Sequence, residues 1–203
     1  MDKKIARVIE NLSKNRIKVK YFTTKEEAKE EILKEIHPEM KIGIGGSMTI
    51  KEMELYEAID QKINPVYWHW MVKPEERPSI FPKAQYSDLY LASSNALTEE
   101  GELINIDGVG NRVSSMFFGP KKVILVCGVN KIVKNYETGV KRIKEIACPL
   151  NAKRLGLKTP CGITGKCNDC SSEQRMCNIA VTIHAKPALV DLEVYIINEI
   201  LGY

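Results

Sequence analysis

Lys41-Ile42-Gly43-Ile44-Gly45-Gly46-Ser47-Met48-Thr49-Ile50 reads as a short apolar strand, a glycine turn and the hydroxyl-capped start of a helix. Strand, turn and helix in succession form the unit of an α/β fold. The same arrangement aims free backbone N–H groups at an anion. Gly45, Gly46, Ser47 and Thr49 are therefore candidate ligand-binding residues, with Ser47 and Thr49 as hydroxyl donors or simply as helix caps. A dinucleotide fingerprint G-x-G-x-x-G would need glycine where Met48 stands, so no NAD site is predicted.

Upstream, Ile5, Val8, Ile9 and Leu12 form an i, i+3, i+4, i+7 stripe, which predicts a helix ending near Asn15. Residues 17–22 alternate Ile17, Val19, Tyr21 with Arg16, Lys18, Lys20, the period of a strand. Thr24 and Glu27 have capping-box spacing, and Ala28, Ile32, Leu33 and Ile36 supply the buried face of a second helix. Downstream, the glycine turn leads into a helical stretch at 50–59. A strand follows at 65–70, then a polar, proline-rich passage and a buried strand at 88–92. Residues 93–111 read as loop with a short strand at 103–106, and 112–118 as helix. Lys122 to Cys127 is the clearest buried strand. An amphipathic helix spans 136–147, and a strand at 192–197 closes the sheet. The expected fold is α/β, a largely parallel sheet flanked by helices, in one domain over 1–203 that includes a cysteine-rich segment at 148–178.

The chain has 203 residues, 44% hydrophobic and 28% charged, which suffices for a core without disulfides and excludes disordered and fibrous classes. Its 30 Lys and Arg against 26 Asp and Glu are scattered, with no block of five like charges, so no nucleic-acid partner is expected. The start Met1-Asp2-Lys3-Lys4 lacks the apolar run of a signal peptide, and no stretch reaches the roughly 18 apolar residues of a membrane span. The expected location is the cytoplasm, with no membrane partner.

Five of the six cysteines lie between Cys148 and Cys177. In a reducing compartment such clustering favours metal ligation or redox chemistry over disulfides. Cys161, Cys167, Cys170 and Cys177 are spaced C-x5-C-x2-C-x6-C, and Gly162, Gly165 and Asp169 let the chain turn tightly between them. Four thiolates suit an iron–sulfur cluster or Zn²⁺. A 4Fe–4S cluster is the expected cofactor and zinc the alternative. Cys148 is a spare candidate ligand, and Cys127 a small buried hydrophobe on its strand.

Asn95, Asp107, Gly108, Gly110, Asn111 and Arg112 form a second constellation. Its glycines allow close backbone approach to a ligand, and Arg112, placed on a surface loop, is expected to hold a carboxylate or phosphate through two hydrogen bonds. A hairpin turn followed by a capped helix would ask for the same residue types. Asn130 and Lys131 end a central strand, where open α/β sheets collect ligands, so Lys131 is a candidate anion contact. His37, His69 and His184 are isolated and read as structural or exposed. Trp68, His69, Trp70 and Met71 read equally as pocket lining or as apolar strand.

Asn95-Ala96-Leu97-Thr98, Gly101, the run Asp107-Gly108-Val109-Gly110-Asn111-Arg112-Val113, Gly119-Pro120, the run Gly128-Val129-Asn130-Lys131-Ile132-Val133, Arg142-Ile143-Lys144 and Glu199-Ile200-Leu201-Gly202-Tyr203 resemble the LUD (lactate utilisation) family from about Lys41 onward. The resemblance implies a fold similar to the CoA-transferase and ribose-phosphate-isomerase group, with a ligand crevice at the strand ends, and an association with lactate oxidation through iron–sulfur proteins. The C-x2-C-x2-C-x3-C run of the larger members is missing, so electron transfer through two ferredoxin clusters is not expected. Residues 161–177 look like the variant found in short members.

Three functions follow as expectations. The first is a redox accessory that binds lactate, pyruvate or a related small organic anion, carries one cysteine-bound cluster and works with an iron–sulfur oxidase. The second is a non-redox CoA-transferase-like or isomerase-like enzyme with a structural zinc, for which Asp107 and Glu99 are the available carboxylates. The third is a metabolite-binding regulatory protein without turnover. Assembly as a homo-oligomer is left open.

Overall fold

The computed structural model describes residues 2–203. The first half of the chain runs α1 (Lys3–Lys14), β1 (Lys18–Phe22), α2 (Lys25–Lys34), β2 (Ile42–Ile44), α3 (Met48–Glu52), α4 (Leu55–Ala58), β3 (Val66–Trp68), α5 (Arg77–Gln85), β4 (Leu89–Ala92), β5 (Ala96–Thr98) and β6 (Leu103–Asp107). The second half runs α6 (Asn111–Ser114), β7 (Lys122–Gly128), β8 (Ile132–Val133), α7 (Tyr136–Arg142), α8 (Cys148–Arg154), α9 (Pro160–Thr164), β9 (Ile179–Ile183) and β10 (Asp191–Ile197).

Six strands form a parallel sheet in the order β1-β10-β7-β4-β2-β3. Its central strands are apolar on both faces because helices cover both. Val123 and Leu125 of β7 join Ile5, Val8 and Leu12 of α1 in one core. Ile124 and Val126 point the other way and join Ala28 and Ile32 of α2 and Ile50 of α3. Thr24 and Glu27 form the expected capping box at the start of α2. The strand at 191–197 does not close the sheet at an edge but lies between β1 and β7.

The structure departs from the sequence reading at several elements. The helix expected at 50–59 is broken into α3 and α4 because Glu54 takes a left-handed backbone, φ 52°. The proline-rich passage contains α5: Pro78 falls in its first turn, where a missing N–H costs nothing, and the helix continues although Pro82 lies inside it. Residues 93–111 carry the two central strands of a second, four-stranded sheet of order β8-β5-β6-β9. The helix from Tyr136 does not stop at Cys148. It passes through a widened π turn at Ile143–Ala147 and runs on as α8 to Arg154. The widening falls just before Pro149, whose ring would clash with the carbonyl of Glu145 in a regular helix.

Candidate functional site

The chain leaves β2 for the edge strand β3 and returns to β4 on the other side of β2, so the carboxyl ends of β2, β4 and β7 meet at a reversal of strand order. There a cleft of about 510 Å³ opens. Gly46, Ser47, Asn95, Asp107, Gly108, Asn111, Arg112 and Lys131 line it. Gly45, Thr49, Gly110 and Asn130, also expected to touch a ligand, do not.

Each of those four has a supporting task. Gly45 donates its N–H to Leu91 O at 2.9 Å, still within the sheet ladder. A side chain there would meet the Tyr90 hydroxyl and Arg112 Cγ. Thr49 accepts a hydrogen bond from Lys131. Gly110 takes a left-handed backbone, φ 94°, before α6. Asn130 accepts from Leu201 N and donates to Gly202 O, which fastens residues 201–202 over the strand ends. At the glycine turn itself, Gly46, Ser47 and Met48 line the cleft. One N–H at the start of α3 is taken by its cap, Ile50 N donating to Ser47 Oγ at 3.2 Å.

Arg112 corrects the expectation of a surface anion clamp. It is 7% exposed, and its guanidinium donates to Ser93 O, Asn105 Oδ1, Asn95 Oδ1 and Ile106 O at 2.7–3.0 Å, while Nε stands 3.3 Å from Asp107 Oδ2. Both terminal nitrogens are hydrogen-bonded twice within the protein and Nε is ion-paired, so Arg112 organises the loops of the cleft and has no free fork for a carboxylate. Asp107 is equally committed. Its other oxygen accepts from Val109 N and Gly110 N, so it is no free nucleophile. Glu99 lies away from the cleft, 3.5 Å from Arg7 of α1.

The cations available to a ligand are Lys51, Arg77, Lys131 and Arg154. Among the described residues, only Arg112 of the five Lys and Arg lining the cleft is in an ion pair, and Asp107 is the one lining carboxylate. Arg154 lies over the Trp70 ring at 4.3 Å and is steadied by Asn151 and Tyr203. Arg77 has a buried Nε without a hydrogen-bond partner. Lys131 is 2% exposed and donates to Ser93 Oγ at 2.6 Å and Thr49 Oγ1 at 2.7 Å. Burial, reinforced by Arg142 and Arg112, lowers its pKa from 10.5 to about 8. Burial and then Arg77 lower that of His69 to about 4, so it is neutral at pH 7. Sequence reading missed Lys51, Arg77 and Arg154, which look like ordinary surface cations. His69 and Trp70 line the cleft, whereas Trp68 is in the core and Met71 is exposed.

The cysteine segment forms one wall of this cleft. Cys148 on α8 and Met176 both line it, and a side chain at Gly108 would come within 3.0 Å of the Met176 carbonyl. Burial, followed by the neighbouring Cys177, Cys161 and Cys167, pushes the Cys148 thiol up to about 12. Cys161, Cys167, Cys170 and Cys177 are all half-buried, and Cys127 is fully buried on β7. Asp169 N donates to Cys167 Sγ at 3.5 Å. Among the described residues, no three His, Cys, Asp or Glu side chains converge tightly enough for a single metal ion. No helix among them is long and apolar enough to cross a membrane.

Fold and site together describe an α/β protein with a cationic cleft at the strand ends and a cysteine-rich wall. The LUD domain profile matches residues 5–197, and the chain belongs to that family, a lactate-utilisation type of protein. A crystal structure of a DUF162 family protein from Deinococcus radiodurans shares the fold at a TM-score of 0.55 and 13% identity, over 96% of each chain. No curated protein matches the sequence.

Proposed function

We propose that this protein binds a small organic anion of the lactate or pyruvate class in the cleft and acts as a redox accessory, with one cysteine-held iron–sulfur cluster beside the anion. The observation that carries the reading is the charge balance of the cleft: four cations without a carboxylate partner, Lys51, Arg77, Lys131 and Arg154, in a space of about 510 Å³. A low-dielectric pocket with unpaired cations attracts an anion strongly, and a small one fits the volume.

The donor set suits a cluster better than zinc. Tetrahedral zinc with bonds of about 2.3 Å needs its four sulfurs almost in contact. A 4Fe–4S cluster binds each thiolate to a different iron and so accepts a wider spacing. Cys161, Cys167, Cys170 and Cys177 would hold it, and when bound it would supply one-electron transfer. The chain's own residues then bind and orient the anion, with Arg112 fixing the loops, Trp70 steadying Arg154 and the cysteine wall limiting water. The reading implies a reducing compartment and an iron–sulfur oxidase as partner. The engaged state of Asp107 speaks against covalent carboxylate chemistry of the CoA-transferase kind.

Titration calorimetry with pyruvate, lactate and inorganic phosphate tests the anion site. Saturable binding that weakens about tenfold or more in Arg154→Ala is expected, the worth of one charged hydrogen bond. Failure of all three to bind would contradict the reading.

A further inference from the structure

We propose that Lys131 is a nucleophilic amine, and that the cleft takes a carbonyl compound bearing a carboxylate or phosphate as an imine on Lys131 Nζ. This rests on the anion-binding reading of the cleft and goes beyond it by naming the reactive atom and the substrate class.

The placement of Lys131 carries the inference. It stands at the carboxyl end of β7, within the cleft lining, with its side chain almost wholly buried. Buried lysines ordinarily face a carboxylate, which keeps them charged and inert. Lys131 instead meets two neutral hydroxyls, Ser93 Oγ and Thr49 Oγ1. On one side the backbone of Gly202 closes in, since a Cβ there would lie 3.5 Å from Nζ and 2.7 Å from Thr49 Oγ1. The third N–H, or the lone pair once the proton has left, has no protein partner among the described residues. The charged and titratable groups around it are Cys127, Arg142, Arg112 and Glu52, and burial outweighs them all in loosening its proton. About one amine in ten is then neutral at pH 7, a condition that suits a desolvated lysine to nucleophilic work.

The step balances without an oxidant. The neutral amine adds its lone pair to the carbonyl carbon and a C–N bond forms. The former carbonyl oxygen takes up the proton that the nitrogen releases, with the Ser93 hydroxyl in position to relay it. The remaining N–H proton then passes to that hydroxyl, the C–O bond breaks and water leaves, so that nitrogen is left doubly bonded to carbon as the imine. Lys51, Arg77 and Arg154 hold the anionic end, which places the carbonyl against Nζ. A molecule with the anion but no carbonyl, such as lactate, would bind without reacting.

The test is reductive trapping on the wild-type protein. Pyruvate, glyoxylate or glyceraldehyde 3-phosphate is added with cyanoborohydride at pH 7, and the modified lysines are mapped by peptide mass spectrometry. The reduced adduct is expected on Lys131 at least ten times faster than on exposed Lys62 or Lys166, and lactate should slow it. The relative rates of the carboxylate and phosphate probes tell which anion the site prefers. Adducts spread over exposed lysines with Lys131 unmodified would overturn the proposal. If pyruvate still raised the melting temperature in that case, the anion-binding reading would survive alone. If no probe bound or reacted, both would fall.

Discussion

The backbone N–H of Asn178 donates to the carbonyl of Asp107 at 3.0 Å. Asn178 follows Cys177, and Asp107 carries the loop that pairs with Arg112, so the cysteine segment and the mouth of the cleft are hydrogen-bonded to each other. β9, the strand after Asn178, continues the connection by pairing with β6 from Asp107 to Leu103.

This connection predicts that loss of the proposed cluster would be felt in the cleft. Cluster removal, or Cys167→Ser, should raise hydrogen exchange at residues 107–111 and weaken pyruvate binding while the parallel sheet stays folded. Hydrogen-exchange mass spectrometry reads the first and far-UV circular dichroism the last. Unchanged exchange at 107–111 would mean that the segment is energetically separate.

Arg112→Ala should cost about 3–5 kcal/mol of stability, the range for removing one partner of a buried charged pair. It takes the cation from Asp107 and a donor from the Asn105 and Asn95 side-chain oxygens and the Ser93 and Ile106 carbonyls at once. Urea denaturation measures this. A variant of wild-type stability that merely fails to bind anions would restore Arg112 to the role of ligand clamp.

Lys131 gives a pH signature. Its folded pKa, about 8, lies below the ordinary 10.5, so between those values the unfolded chain binds more protons and stability rises with pH. Below pH 8 both states are protonated and the cost of burying the charge is constant. Lys131→Met removes the group. The stability of wild type relative to this variant should therefore increase by on the order of 3 kcal/mol between pH 8 and 10.5. A flat difference would mean that Lys131 is an ordinary charged lysine.

His69 should remain neutral down to about pH 5, because its pKa is lowered to about 4 by burial and by Arg77. Here too the unfolded state binds the extra proton, so the stability this group contributes is lost as pH falls from 6.5 toward 4. An NMR titration of the imidazole checks it, and a midpoint near 6.5 would contradict the buried setting.

The parallel sheet was legible because β7, β4 and β2 are short apolar runs bounded by turns, and the capping box at Thr24 and Glu27 marked its helix by local chemistry alone. The second sheet was not, because β5 and β8 are only three and two residues long and show no period. In the cleft, Lys131 was found from its place at a strand end, a property of topology. Arg154 could not be found that way. It sits on a helix that sequence periodicity ended too early, at the π turn, and only that continuation brings it over Trp70. For Arg112 the sequence pointed to a cleft residue but to a surface loop rather than a buried guanidinium, since a sequence does not show how many N–H groups are already taken.

The most direct test of an anion cleft beside a cysteine-held cluster is the electron paramagnetic resonance spectrum of protein purified without oxygen and reduced with dithionite, recorded with and without pyruvate. An iron–sulfur signal whose g-values shift on adding pyruvate is the predicted result. A protein without iron and acid-labile sulfide, or a cluster signal indifferent to an anion that binds, would contradict the account.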